Sequence, residues 1–426
     1  MNYYLVGIKG TGMSALANIL VDLGHNVKGA DYDKKFFTES TFRKSIKVEK
    51  FENCILSEDY FYIIGNAFKM FELTNEIIKR NLQYSYYPDF LEHFFKEKKI
   101  GISGSHGKTT TTSFSSQLID KPINVLIGDG SGFGDKDSEY FLFEACEYQN
   151  HFLKYSYEYL VILNIDYDHP DFFKNSSEYF YSFVKASLNA KIVIVNHDDQ
   201  NCKKLIHKNK ISFGFSPGAD IKLKLKDKIL EICIDEVIYE LPFNFYGKHM
   251  AYNLAVAFII AYLVDGEPLK SIDKISKLSM PSRRFYEEKV KNDVILINDY
   301  AHHPTEIDAV ISTIRIKYPE YLVCVVYQGH THSRTSTFLN QYVSVLKKAD
   351  RVYIMPTFSS VRENTEDEYI LLNACDKFFE YNRDAILEVI KRSKIVVAFL
   401  GAGDIDNEFI FLIKKVNYWK PLHIML

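Results

Sequence analysis

The stretch Ile100–Thr112, IGISGSHGKTTTT, decides the reading of this chain. An apolar start of strand character runs into Gly101, Gly104 and Gly107, and then into Lys108 and the hydroxyl run Thr109 to Thr112. Glycines let backbone N–H groups crowd an anion, the following helix adds its N-terminal dipole, and the lysine reaches terminal phosphates. A threonine hydroxyl beside that lysine suits the Mg2+ that travels with a nucleoside triphosphate. The spacing departs from GxxxxGK[ST]: Ile102 stands where the first glycine belongs, and Gly101 comes one residue early. The stretch predicts a strand, a phosphate loop and a helix, of a variant kind.

Upstream, Tyr3–Ile8 (YYLVGI) reads as a buried strand. Gly7, Gly10 and Gly12 lead into MSALANILVDLG, whose apolar residues recur at helical spacing, and a second strand, Asn26–Ala30, ends at Asp31. This is the opening of a Rossmann-type unit for a nucleoside diphosphate, although its GxxGxG spacing is not the GxGxxG of NAD enzymes. Strand and helix patterns continue through 61–65 and 72–81 to a candidate linker at Tyr87–Lys99. Downstream, strands are predicted at 123–127, 140–144, 159–164 and 191–195. Residues 219–241 alternate with period two, broken at Asp227-Lys228 and Asp235-Glu236, as an antiparallel meander does. A helix covers His249–Val264, SMPSRRF (279–285) reads as a second linker, and further strands fall at 294–298, 321–327, 351–355 and 395–400.

The expected fold class is therefore α/β, in three consecutive domains. Residues 1–97 form a Rossmann-like domain. Residues 98–280 form a central P-loop ATPase-type domain, a mostly parallel sheet with a small antiparallel meander. Residues 281–426 form a second Rossmann-like domain. A chain of 426 residues suits about three domains. The net charge of −3 gives no case for nucleic acid or an anionic membrane. Six scattered cysteines without a CxxC pair, no apolar run of ~18 residues and no leader-like start predict a cytoplasmic protein without membrane insertion. The Phe and Tyr excess (32 and 30) falls inside element-like runs and reads as compositional bias, not as stacking clusters.

Metal ligands for a phosphate loop are expected at later strand ends. FLFEACE (141–147) supplies Glu144 and Glu147, and ILNIDYDHPD (162–171) supplies Asn164, Asp166, Asp168, His169 and Asp171. His249 and Asn253 stand one helical turn apart, suited to adenine or ribose. Arg283 and Arg284 lie in the second linker, a placement that suits either one guanidinium on a terminal phosphate or a solvated basic hinge. INDYAHHPTEI (297–307) and QGHTHSRT (328–335) bring Asp299, Tyr300, His302, His303, His330, His332 and Arg334 to two strand ends. Consecutive strand–helix units of this kind predict a single polar wall. Substrate carboxylate and phosphate recognition fits it better than zinc, since no cysteine or carboxylate pair has ligand spacing there.

In one order along nearly the whole chain stand GIKGTGMSALA, GSHGKTTTTS, EACEYQNHFL, NIDYDHPD, YGKHMAYN, NDYAHHPTEI, HSRT and GAGDI. Together they resemble the Mur ligase family of peptidoglycan synthesis, and within it the alanine-adding branch. The resemblance implies a cytoplasmic ligase, monomer or homodimer, that joins L-alanine to UDP-N-acetylmuramate with ATP and Mg2+. It implies that Gly10, Thr11, Gly12, Met13, Ser14 and Asp31 bind the UDP substrate. Gly104, Ser105, His106, Gly107, Lys108, Thr109 and Thr110, with His249, Asn253, Arg284 and Asp299, fall on the ATP side. Thr109, Glu144 and His169 fall on the metal, while Lys108, His169, His302 and Arg334 are the implied catalytic set, with Tyr300 beside the amino acid. The last domain is expected to close over ATP.

Four positions depart from the family pattern: Met250 where asparagine is common, Asn298 for the first of two aspartates, and Gly329 and Thr331 beside His330. Residues 65–75 match the family's serine-rich segment only loosely. Rival readings are the murein-tripeptide recycling ligase, a folate or poly-amino-acid ligase, a nucleotide-sugar dehydrogenase, and a nucleotide-binding scaffold of wall assembly.

Overall fold

The computed structural model describes residues 1–290, 293–358, 367–392 and 394–418. The end of the expected last domain, 419–426, lies outside them. The chain divides into two compact units. One comprises Met1–Tyr167, Lys174–Asn244 and Met250–Pro281; the other comprises Asp168–Phe173, Phe245–His249 and the chain from Ser282 onward.

The first unit opens with β1 (Asn2–Val6), α1 (Thr11–Asp22), β2 (Asn26–Asp31), β3 (Lys47–Lys50), β4 (Phe61–Ile64), α2 (Glu72–Lys79), β5 (Tyr84–Tyr86) and α3 (Tyr87–Phe94). Its five strands are all parallel, in the order β3-β2-β1-β4-β5. The apolar run Tyr3–Val6 is buried on both faces, as a central parallel strand requires. The expected linker at Tyr87–Lys99 is instead α3 followed by the start of the next strand. Pro88 sits in the helix's first turn, where its missing N–H costs nothing, and Phe90 and Leu91 are buried.

The second sheet is built from β6 (Lys98–Ser103), α4 (Lys108–Leu118), β7 (Ile123–Leu126), β8 (Gly132–Phe133), β9 (Tyr140–Glu144), β10 (Tyr157–Ile162), α5 (Ser176–Ser187), β11 (Ala190–Asn196), α6 (Gln200–Lys203), β12 (Lys210–Gly214), β13 (Ile221–Lys226), β14 (Ile229–Ile234) and β15 (Val237–Pro242). Helices α7 (Lys248–Asp265) and α8 (Pro268–Ile275) follow. Ten strands run in the order β15-β14-β13-β12-β11-β10-β6-β9-β7-β8. The expected meander is β13-β14-β15, antiparallel, with both breaks in left-handed backbone at Asp227, Asp235 and Glu236. Strand β6 lies between β9 and β10, so the chain leaves it at the point where the sheet switches direction of growth, the place where such sheets gather ligands.

The aromatic excess is not mere composition. Phe95, Phe141 and Phe143 stack with ring centroids 3.9 and 4.7 Å apart, and Tyr157 extends the row at 6.1 Å. A second cluster joins Phe51, Phe68 and Phe71 at 4.6–5.4 Å. Period-two and helical spacing place these rings on element faces, but the pairing of separate strands brings them into register.

The second unit carries β16 (Tyr286–Lys289), β17 (Val294–Asp299), α9 (Pro304–Lys317), β18 (Leu322–Gln328), α10 (His332–Thr337), α11 (Leu339–Leu346), β19 (Arg351–Met355), α12 (Ile370–Asn373), β20 (Phe378–Glu380), α13 (Arg383–Val389), β21 (Ile395–Leu400) and α14 (Asp406–Tyr418). The order is β16-β17-β21-β18-β19-β20, with only β16 antiparallel. The two His-rich strand ends are therefore not neighbours. Strand β21 pairs with both β17 and β18 and inserts Gly401 between them. The polar wall survives in another form, since the His302 and His330 rings still approach to 5.9 Å across that gap.

Candidate functional site

Gly101 sits mid-strand in β6, where a Cβ would come within 2.4 Å of the Tyr157 ring and 3.1 Å of the Ala145 methyl. It is a packing glycine and not part of the phosphate loop, which explains its early position. The loop is Gly104–Gly107, with Gly104 at φ +133° and Gly107, the N-cap of α4, at φ +88°. Lys108, Thr109 and Thr110 form the first turn of α4, whose opening N–H groups precede any intrahelical acceptor and favour an anion.

Lys108 folds back over its own loop. Its ammonium donates to the Gly104 carbonyl, to the Ser105 carbonyl at 3.3 Å and to both Glu147 oxygens at 3.0 and 3.2 Å. Burial presses the ammonium toward neutrality, but Glu147, with Cys146 and Glu144 adding to it, outweighs burial and raises its pKa. Glu147 is 1% exposed, a buried counter-ion that the sequence marks only as a strand-end acid.

Two further residues hold the loop from just past the end of β10, with Tyr179 of α5 beside them. The Asn164 carboxamide accepts from the His106 N–H at 2.8 Å and donates to the His106 carbonyl at 3.0 Å. Ser105 donates its hydroxyl to the Asp166 carbonyl at 2.6 Å and lies 2.8 Å from the Tyr179 hydroxyl. The His106 ring meets the Asp166 carboxylate at 2.9 Å. Thr109 and Glu144 stand at the ends of adjacent parallel strand–helix units, with Glu144 accepting from the Gly128 N–H at 2.5 Å. Asn253 is buried under the loop: its Oδ1 accepts from Thr111 at 3.2 Å and its Nδ2 meets the Met250 sulfur at 3.9 Å. Its amide is thus committed to α4 and to the residue that replaces the usual asparagine.

In the N-terminal sheet, Gly10–Ser14 opens α1. Ser14 donates to the Gly130 carbonyl at 3.1 Å, which also accepts from Thr41 at 2.9 Å. The Asp31 carboxylate accepts from the backbone N–H groups of Lys9 and Tyr32 at 2.7 and 2.8 Å. Burial raises its pKa against the pull of those two bonds. Asp31 therefore closes the glycine loop onto β2.

The second unit gathers the other predicted residues. Arg334 forks onto Asp168, Nε to Oδ1 at 2.7 Å and NH2 to Oδ2 at 3.3 Å, with both side chains 5% exposed. Burial opposes the Asp168 charge, but Arg334 and then His169 hold its pKa well below the usual range. The NH2 group of Arg334 also lies 3.4 Å from His169 Nδ1. His249 lies in the short segment that groups with this unit, and burial lowers its pKa. Asp299 accepts from the Phe285 and Ala301 N–H groups, both at 2.7 Å; burial raises its pKa while Arg284 pulls it down. Arg283 and Arg284 both stack on the Tyr300 ring, at 4.8 and 5.2 Å. Arg283 is the buried anchor, bonded to the Gly401 carbonyl at 2.9 Å and paired with Asp406 at 2.8 Å.

His302 Nδ1 lies 3.0 Å from the Tyr300 carbonyl, so Nδ1 carries the proton and Nε2 the lone pair. Burial pushes its pKa down to about 4 from 6.5, with Glu306 pulling the other way. Between those values the unfolded chain binds a proton that the folded chain does not. This contribution to stability is fully present above pH 6.5 and is lost as pH falls toward 4, by about 3 kcal/mol. Replacing His302 with glutamine should flatten that acid limb in urea titrations run between pH 7 and 4.5; an unchanged limb would remove His302 as its cause.

Sequence reasoning named Glu147, Asn164, Asp166 and Asp168 only as strand-end polar residues. Their partners are 39, 58, 60 and 166 positions away, and local sequence carries no signal for such pairings.

Residues 2–99 match the description "Mur ligase family, catalytic domain", 102–261 "Mur ligase middle domain" and 283–403 "Mur ligase, glutamate ligase domain". The fold is similar to that of the UDP-N-acetylmuramate-alanine ligase MurC from Thermotoga maritima, with TM-score 0.80 and 21% identity over 99% of this chain and 100% of that one. A murein peptide ligase from Psychrobacter arcticus gives 0.71 and 18% over 100% of both chains. MurF from Thermotoga maritima, in complex with ADP, gives 0.64 and 17% over 92% and 95%.

Proposed function

The chain belongs to the Mur ligase family, and from that premise we propose that it joins L-alanine to the carboxylate of UDP-N-acetylmuramate at the expense of ATP. The observation that carries an ATP-driven reading is Lys108, half-buried at the first position of α4 and poised over the glycine loop by Glu147. The alanine branch rests on the GIKGTGMS, EACEY and NDYAHHP blocks. In this reading residues 1–97 bind the UDP moiety, 98–280 bind ATP, and 281–426 bind the amino acid.

The substrate carboxylate attacks the γ-phosphorus of ATP, the bond to ADP breaks, and an acyl phosphate forms. The alanine amine then attacks the acyl carbon, phosphate leaves, and the nitrogen gives up a proton. Lys108 and the first turn of α4 neutralise the phosphates, and Arg284 adds charge at the terminal one. Arg334, fixed by Asp168, presents its remaining arm to an anionic group of the substrates. Neutral His302, with its lone pair on Nε2, receives the amine proton.

The donors fit Mg2+ in part. The Thr109 hydroxyl and the Glu144 carboxylate are the hard oxygens that ion requires, whereas the imidazole of His169 is a softer donor and groups with the second unit. When bound, the ion would draw charge from the ATP phosphates.

Purified protein with Mg-ATP and UDP-N-acetylmuramate should release phosphate only when an amine is added, with alanine giving the highest kcat/KM among alanine, glycine, serine and L-alanyl-γ-D-glutamyl-meso-diaminopimelate. A preference for the tripeptide would move the chain to the peptide-recycling branch. Failure of every amine to elicit phosphate would overturn the ligase reading.

A further inference from the structure

The phosphate loop is shorter than the GxxxxGK[ST] pattern, with only Ser105 and His106 between Gly104 and Gly107, because Gly101 is taken up by strand packing against Tyr157 and Ala145. A short glycine-rich loop pays the largest entropy to stay in one conformation. Its order must come from elsewhere, and the contacts show where. The Ser105 N–H donates to the Asn164 carbonyl at 3.3 Å, and the Asn164 side chain then takes both polar groups of the His106 backbone, N–H and carbonyl. The next alternate residue repeats the exchange, since the Asp166 N–H donates to the Ser105 hydroxyl at 2.9 Å while that hydroxyl donates to the Asp166 carbonyl. A Cβ on Gly104 would press within 3.1 Å of the Asn164 backbone. The carboxamide thus extends the β6–β10 pairing past the ends of both strands and into the loop.

We propose that Asn164 is a positioning residue for nucleotide binding: by bonding both backbone groups of His106 it presets the loop between Gly104 and Gly107, so that the α4 N-terminus and Lys108 meet the phosphates without reordering. The inference rests on the ATP-binding reading above. A consequence is that Ser105 and His106 contribute to ATP by the shape they hold, since their N–H groups face Asn164. The anion is left to the turn that begins at Gly107.

Calorimetry with ADP and Mg2+ on one side, and UDP-N-acetylmuramate on the other, separates this role from general damage. Asn164→Ala should bind ADP about 10- to 100-fold more weakly, as expected when a paired donor and acceptor lose their partners. Its affinity for the UDP substrate should stay within about 2-fold and its melting should stay cooperative. Asn164→Asp keeps the acceptor for His106 N–H but turns an oxygen toward the His106 carbonyl, so it should be no better than alanine. Should the alanine variant not fold, the aspartate variant decides by the same criterion. ADP affinity near wild type in either folded variant, or an equal loss for both ligands, overturns the proposal. Absence of ADP binding by the unaltered protein would instead overturn the ATP reading on which it rests.

Discussion

Lys108→Ala is expected to cut ligase turnover by about 100- to 1,000-fold, the scale seen when one preorganised charge contact to a transition state is removed. The same change also takes from Glu147 the cation that neutralised it, and its carboxylate is 1% exposed and was paired at 3.0 Å. Removing one member of a largely buried ion pair costs up to about 3–5 kcal/mol because the other charge loses its counter-ion. Two effects are therefore superimposed, and a second variant separates them. Lys108→Ala with Glu147→Gln removes both charges, so it should regain most of the lost melting temperature and none of the turnover, measured by phosphate release with saturating Mg-ATP. Recovery of activity in the double variant would show that the lysine served only to neutralise Glu147. An unaltered melting temperature in the single variant would show that Glu147 is satisfied by its other contacts.

How far the sequence could reach depends on the range of the interactions that decide each feature. The meander was legible because β13, β14 and β15 keep one face wet, so polarity alternates strand by strand, and its turns carry acidic residues that tolerate left-handed backbone. The phosphate loop was legible because glycine and lysine spacing within thirteen residues sets its geometry. Helix α3 was not, since a proline and a run of aromatics resemble linker punctuation until burial of Phe90 and Leu91 is known. The insertion of β21 between β17 and β18 is a choice among strand pairings more than sixty residues apart, and every candidate strand there is uniformly apolar.

The site divides in the same way. Residues proposed to face a ligand sit in compact motifs, and those motifs named Lys108, Glu144, His169, His302 and Arg334. Residues that hold the first group in place are ordinary polar side chains on other segments. Glu147, Asn164 and Asp168 declare themselves only through the distances they keep to Lys108, His106 and Arg334. Asn253 shows the converse. Its motif suggested adenine, while its buried amide is turned to Thr111 and Met250.

Arg334→Ala should destabilise the protein by up to about 3–5 kcal/mol, because Asp168 is 3% exposed and would keep its charge with only the His169 N–H and nearby imidazoles to offset it. A buried ion pair of this kind gains little over a well-packed apolar pair, so stability alone gives no reason for its presence. The guanidinium offers a reason: two of its nitrogens are fixed by Asp168, while NH1 is buried and has no hydrogen-bond partner among the described residues. An oriented cationic arm with an unused donor is what recognition of a carboxylate or phosphate requires. Arg334→Met with Asp168→Leu therefore discriminates between the two roles. In denaturant melts it should recover most of the stability lost in Arg334→Ala, and in the phosphate-release assay it should stay as inactive. Arg334→Lys should keep the charge, lose the fork, and fall between wild type and alanine in stability. Turnover near wild type in the methionine–leucine variant would reduce the pair to a structural contact and leave anion recognition to other residues.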